Sequence, residues 1–308
     1  MNITVNKSLQ IKEIAPEQSM VGAHFFNSAQ FLLNKPFKVV GWQLVKEKPI
    51  AQIFFYIDNG KAISGYQSTF GSFDVLKNIS QQDLTWFIKK IIDNLKTEGV
   101  LKVKIKHFPM YMANAVVMAN ALEECGFKKN ITETNQHIIT QKPTFEEVAD
   151  RSEVIRSNKC SQLGYKFKRA SLQDLPEVYN LVLDTLARKN NAPSMSFFNL
   201  KKAIEACPDN YILFTLWDDD TLIAATVSIK INNSVLYNFL HSDHLKYRKV
   251  SAFTFLLKNI YLFCLEHDYK ALDLGISSIN GVINTGLFKF KKARGGLTSD
   301  KNIYHLTL

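Results

Sequence analysis

No stretch of about 18 apolar residues runs free of charge through the 308-residue chain, so a transmembrane helix is not expected. The opening MNITVNKSLQ has no apolar run behind a basic start, which argues against a secretory signal. Cysteine is scarce. Cys125, Cys160, Cys207 and Cys264 stand far apart in no ligand spacing, as reduced thiols of a cytosolic protein would. Also missing are a Walker loop, a His-Glu-x-x-His helix and a Gly-x-Ser-x-Gly nucleophile elbow. His241 and His244 lack a third ligand, so a polar loop is expected there, and no metal.

What is present is ordinary globular material. Hydrophobic residues make up 46% and charged residues 21%, and 22 Phe with 11 Tyr exclude a disordered chain. The length suits two domains. The formal charge is +10, with Lys and Arg outnumbering Asp and Glu by 17 to 14 in residues 1–150 and by 21 to 14 in 151–308. A basic second half suits phosphate-bearing partners such as coenzyme A, nucleotide sugars or tRNA, or is simply a soluble basic surface. Basic and aromatic residues do not interleave as in RNA-recognition modules.

The pattern predicts α/β units with a mixed sheet. Asp58-Asn59-Gly60 marks a tight hairpin after the strands of 36–57. Ser80 caps a helix to Leu95 whose Leu84, Phe87, Ile88, Ile91 and Leu95 form one stripe. A strand over 100–107 and a helix over 112–125 follow, closed by Gly126. The second half repeats the order: hairpin strands over 218–240, a helix from Ser251 to Glu266, a strand over 270–276 and a helix over 282–294. Residues 141–162 read as a connection with one helix, Phe145 to Arg156. Domains are therefore expected at 1–158 and 159–308. Adding 169 carries Leu84, Phe87, Ile88, Ile91 and Leu95 on to Phe253, Leu256, Leu257, Ile260 and Cys264, and Gly126 on to Gly295.

The same shift exposes a contrast. Met118, Ala121, Leu122 and Cys125 share one apolar helix face, and their counterparts are Leu287, Phe290, Lys291 and Arg294. A buried cation needs an anionic partner or a wet cavity, unless the helix is rotated into solvent. Asp273 ends the preceding strand, where the first half has Lys104. It can orient an amine, pair with Lys291 or Arg294, or cap the following turn.

The order of elements and ALEECGFKK (121–129) resemble the GNAT acyltransferase fold. Two such units in tandem resemble the FemABX-like group, which includes aminoacyl-tRNA-dependent transferases of peptidoglycan cross-bridges. SGYQSTFGSF (64–73) resembles that group's Ser-Pro-Tyr…Phe-Gly segment, with Gly65 for Pro, and DLGISSINGVINTGLFKFKKARGG (273–296) resembles its Asp-x-Gly strand end and Gly-Leu…Phe-Lys…Gly helix. The long helical arm of the cross-bridge enzymes has no counterpart here.

The resemblance implies transfer of an acyl or aminoacyl group to a primary amine, on a cell-wall or glycan precursor, with acyl-CoA or aminoacyl-tRNA as donor. It places Tyr66, Phe70 and Phe290 in the substrate groove. Lys291 would stabilise an oxyanion or leaving group, and Asp273 would orient or deprotonate the amine. Arg248, Lys249, Ser251 and Arg294 would hold phosphate. The usual Gly-rich pyrophosphate cradle is altered, since Ser251 and Phe253 replace small residues in Arg248-Lys249-Val250-Ser251-Ala252-Phe253, and Ser80-Gln81-Gln82-Asp83 lacks a cation. A non-catalytic protein that keeps the groove for a phosphate-bearing ligand is the alternative.

Overall fold

A computed structural model describes residues 9–75, 79–142, 144–188 and 190–308, so most of the N-terminal stretch read for a signal lies outside the described residues. The chain forms two compact units. One comprises residues 1–134, 278–282 and 299–308, and the other 135–277 and 283–298.

The first unit opens with β1 (Gln10–Ile14), α1 (Ala29–Leu33), β2 (Val39–Lys46), β3 (Lys48–Asp58), β4 (Lys61–Ser64) and β5 (Asp74–Val75). Asn59 and Gly60 take φ of 48° and 69°, the left-handed pair a two-residue hairpin requires. Next come α2 (Gln81–Thr97), β6 (Lys102–Lys106), α3 (Ala115–Glu124) and β7 (Lys128–Ile139), which crosses the boundary at 134. The Ser80 hydroxyl accepts from the Asp83 amide at 3.1 Å and starts α2 where the sequence predicts. The stripe Leu84, Phe87, Ile88, Ile91 and Leu95 is buried, each side chain contributing about 1.5–3 kcal/mol. α3 starts at Ala115, later than expected, because Asn114 stands at φ 62° and breaks the helical run.

The second unit contains α4 (Arg151–Ser161), β8 (Lys166–Ala170), α5 (Leu175–Ala187), α6 (Phe197–Ala206), β9 (Tyr211–Asp218), β10 (Thr221–Asn232), β11 (Val235–Asp243), α7 (Ala252–Glu266) and β12 (Ala271–Ile276). β13 (Ser278–Ile279), β14 (Val282–Ile283), α8 (Thr285–Lys292) and β15 (Leu297–Thr307) finish the chain. Its core gathers Ile138, Phe145, Phe214, Leu256, Ile260 and Leu272, all under 1% exposed. β11 and β12 pair in parallel only over Val235–Tyr237 against Ala271–Asp273, and β11 runs on to Asp243.

The 169-residue register survives in three dimensions. It maps β6 on to β12, β7 on to β15 and α3 on to α8, and the closing Gly126 and Gly295 take φ of 87° and 90°. The expected domain limits need correcting. The last strand, β15, pairs antiparallel with β6 from Ile303↔Lys106 to Thr307↔Lys102 and so belongs to the first unit. The end of β7 pairs with β12 from Ile139↔Ala271 to Asn135↔Ile276 and belongs to the second. Residues 145–161 are no loose connection either. Phe145 is in the second core, and Glu153 is 4% exposed. The last helix is shorter than expected, because Asn280-Gly281 turns β13 back on β14 before α8 begins.

Candidate functional site

Asp273 and Lys291 come together at the end of β12. The Asp273 carboxylate is 3% exposed. It accepts from Asn135 Nδ2 at 3.2 Å on both oxygens and from the Gly275 amide at 2.6 Å. That amide lies in a bulge, where the ladder to β7 slips between Asp273 and Gly275. Gly275 takes φ 74°, and an added Cβ would lie 3.3 Å from the Tyr237 ring. Asp273 thus caps the turn, as one of its expected roles proposed. His137 faces it across the ladder, and burial lowers the imidazole's pKa while the carboxylate opposes that shift.

Lys291 Nζ donates to the Gly275 and Ile276 carbonyls at 2.9 and 2.8 Å, and the residue is 4% exposed. The ammonium therefore sits at the end of the bulge that the Asp273 carboxylate organises. Solvent does not claim this face of α8. The inward register read from Leu122 holds, because Leu122 is fully buried in the first unit.

Arg294 has the anionic partner that burial demands, and that partner is internal. Glu153 Oε2 lies 2.9 Å from its Nη2, Nε donates to Thr254 Oγ1 at 3.0 Å, and Nη1 donates to the Phe290 carbonyl at 2.7 Å. Its guanidinium also stacks over the Phe290 ring at 3.7 Å. Burial pulls its pKa down to about 10 against the pull of Glu153, so it stays charged at neutral pH. The phosphate role expected of Arg294 is corrected accordingly: it braces α4 against α7 and α8. Glu153 was missed because it lies in the stretch read as a connection. Phe290 packs on Phe253 at 5.6 Å, which keeps it beside α7.

Arg248 and Lys249 are exposed on the turn before α7, and Arg248 Nη2 pairs with Asp243 Oδ1 at 3.0 Å. Ser251 adopts φ 58° and ψ 43° without capping the helix through its side chain. A serine therefore stands here in a conformation that glycine adopts most readily. Ser251→Val, a β-branched residue in the left-handed region, is expected to lower stability by about 1–2 kcal/mol in thermal unfolding, whereas Ser251→Gly is not.

In the first unit Tyr66 stacks on Tyr56 at 4.3 Å and meets Phe37 at 4.8 Å, lining an open recess with Phe31, Lys35 and Gly65. Lys35 Nζ sits 4.0 Å from the Phe31 ring centre and donates to the Gln67 carbonyl at 3.2 Å. Phe70 is 3% exposed, edging on His24 at 5.2 Å and Phe26 at 5.0 Å, so it is core rather than lining. Gly65 has φ 79°, which the proline of the resembling segment could not adopt. A Cβ on Gly71 would lie 2.3 Å from the Gly65 amide nitrogen, so both glycines are needed for the chain to fold back on itself.

Beside this recess β6 carries a face the sequence reading passed over. Val103 and Ile105 turn inward, which leaves Lys104 and Lys106 on the other side. Lys104 stands opposite His305 of β15, and Lys106 Nζ donates to the Ser68 carbonyl at 3.2 Å. Burial and the neighbouring Lys104 both lower the pKa of Lys106, and the same two causes lower that of His305. Period-two alternation in KVKIK could have revealed this face. By the repeat, Lys104 and Lys106 occupy the places of Asp273 and Gly275. His241 lies in β11 against Phe253, and among the described residues no group of three or more His, Cys, Asp or Glu is placed to hold a metal.

No family model and no curated protein matches the sequence. Solved structures do. The chain is similar to FemX, with a TM-score of 0.77 at 12% identity over 97% of each chain. It is similar to L-PGS from Bacillus licheniformis, with a TM-score of 0.58 at 13% identity over 83% of this chain and 80% of that one. A tandem GNAT protein from the clavulanic acid biosynthesis pathway gives 0.53 at 10% identity over 97% and 98%. The fold is therefore the tandem GNAT-like α/β fold that the sequence led us to expect. Among the described residues no helix is long and apolar enough to cross a membrane.

Proposed function

We propose that the protein is an N-acyltransferase that moves an acyl or aminoacyl group from an activated donor to a primary amine on a phosphate-bearing acceptor. The likeness to FemX, L-PGS and a tandem GNAT protein supports acyl or aminoacyl transfer. The observation that carries the reading is the charge inversion between the repeats. Where the second unit has Asp273 and Lys291, the first has Lys104 and Leu122. One copy holds the residue types for transfer, and the other has a cationic face in place of the acid.

The donor is a thioester or ester, acyl-CoA or aminoacyl-tRNA, and the acceptor is an amine of the cell-wall-precursor class. The amine attacks the donor carbonyl carbon, and a C–N bond forms as the carbonyl oxygen becomes an oxyanion. Collapse breaks the C–S or C–O bond. The amine proton passes to Asp273, directly or through water, and finally to the leaving thiolate or alkoxide. Lys291 places positive charge beside the developing oxyanion or the leaving group. Arg248 and Lys249 meet donor phosphate near the start of α7. In the first unit Lys35, Lys104 and Lys106 with Tyr66 suit a phosphate-bearing ligand with a ring or sugar beside the phosphate.

A second reading, a binding protein without turnover, is favoured by one observation: Lys291 and Asp273 both spend hydrogen bonds on the bulge itself. The test is turnover of aminoacyl-tRNA or acetyl-CoA in the presence of a nucleotide-linked amine. Lys104→Ala with Lys106→Ala should weaken binding of a nucleotide-linked glycan about tenfold or more, read by calorimetry. Stabilisation by a nucleotide-linked glycan with no turnover of either donor would leave the binding reading standing.

A further inference from the structure

A single row of side chains crosses four strands of the first unit. Tyr56 of β3 stands opposite Ile63 of β4, Ile63 opposite Lys104 of β6, and Lys104 opposite His305 of β15. Cross-strand partners share a face of the sheet. The row therefore joins the lysines of β6 to the aromatic recess, which Tyr56 and Ile63 line with Tyr66 and Ser68.

Lys106 stands two residues along β6 from Lys104, and so on the same face. Its stem lies where Gly65 leaves room, since a Cβ on Gly65 would be 3.2 Å from the Lys106 Cβ. Its Nζ reaches the Ser68 carbonyl at 3.2 Å, at the edge of the recess. The side chain is half-buried and its charged neighbour is a second cation. Burial and Lys104 together keep more of this amine neutral near physiological pH than of an exposed lysine. Desolvation and an adjacent cation are the two conditions that make a lysine amine a nucleophile. Among the described residues no ion pair involves Lys104 or Lys106, so the positive charge of this face is not offset by a carboxylate.

We propose that Lys106 is a covalent docking point for a phosphate-bearing aldehyde, which it holds reversibly as an imine. A nucleophilic amine captures an aldehyde, and the uncompensated charge of Lys104 favours one that carries phosphate. The neutral Nζ adds to the aldehyde carbon and a C–N bond forms. One amine proton moves to the oxygen to give a carbinolamine. The hydroxyl then leaves as water with the second amine proton, and a C=N bond remains. Lys104 faces the phosphate, and the recess beside Tyr66 takes the ring or carbon chain. The inference rests on the phosphate-bearing ligand proposed for this face, and not on the transfer chemistry of Asp273 and Lys291.

The experiment treats the full chain with pyridoxal phosphate, traps the imine with borohydride and locates the label by peptide mass spectrometry. A single equivalent is expected, on Lys106. Pyridoxal without its phosphate should label Lys106 about tenfold more slowly, the size of one lost charge-assisted contact. Lys106→Arg keeps the charge and should melt like the wild type, yet lose the single label. Lys104→Met should move the pH profile of labelling upward, because removing the neighbouring cation returns Lys106 toward the ordinary lysine range. Label spread evenly over exposed lysines would overturn the proposal. So would unchanged uptake by Lys106→Arg, or a pH profile that Lys104→Met leaves in place. Calorimetry with a nucleotide-linked glycan, which carries no free aldehyde, tests the phosphate site separately. Binding there without labelling refutes the imine and keeps the ligand reading.

Discussion

Lys291→Met is expected to cut transfer by at least about 100-fold, the usual scale for removing a preorganised charge from a developing oxyanion or leaving group. Methionine keeps most of the volume that the lysine stem fills under α8. What disappears is the ammonium and its two hydrogen bonds to the Gly275 and Ile276 carbonyls. Leaving those carbonyls without their donor costs about 1–3 kcal/mol, so the melting temperature should fall but the fold should persist. The discriminating measurement is single-turnover transfer on a variant shown to be folded by circular dichroism. Turnover within about threefold of wild type would remove Lys291 from the chemistry, since ordinary packing losses reach that size. Asp273→Asn makes a useful companion, because the amide can still accept from Gly275 but cannot take a proton from the amine.

Deletion of residues 299–308 is expected to abolish soluble expression of the folded first unit. The deletion removes most of β15 and with it the partner of β6 from Lys102 to Lys106. It also removes Tyr304, which is fully buried and donates to Glu123 at 3.1 Å. An unpaired central strand in place of a ladder invites edge-to-edge association. Size-exclusion chromatography of the truncated chain should show aggregate. Supplying residues 159–308 as a separate chain with 1–158 should recover a folded complex, whereas 1–158 alone should not fold. A monomeric, cooperatively melting 1–158 would show that β15 is dispensable.

Much of this architecture could be read from the sequence, for identifiable reasons. The α2 stripe and the Ser80 cap are local patterns, and the structure follows both. The register of 169 predicted that Lys291 would lie where Leu122 does, because helix period and the closing glycine fix rotation together. The boundary at 158 failed because strand pairing is non-local. Nothing in KVKIK says which later segment will lie beside it. The identity of the Arg294 partner failed for a related reason, since Glu153 is brought to it by tertiary packing from 141 residues away along the chain. The hairpin at Asn280-Gly281 was legible and missed. Asn59-Gly60 carries the same dipeptide between Asp58 and Lys61, but at Asn280-Gly281 the helix pattern of 282–294 outweighed it.

The placement of β15 also orders events during synthesis. Most of the first unit emerges from the ribosome before the second, and it cannot close its sheet until residues 299–308 have been made. β6 therefore waits with one edge unpaired while the whole second repeat is translated, at about 5–20 residues per second. The contact that completes the first unit spans nearly 200 positions, from Lys106 to Ile303, and such long-range closures are slow to form. Closure of the first unit, although most of it is made first, therefore has to follow synthesis of the second repeat. The lysines on the waiting strand keep like-charged neighbours apart in the interval.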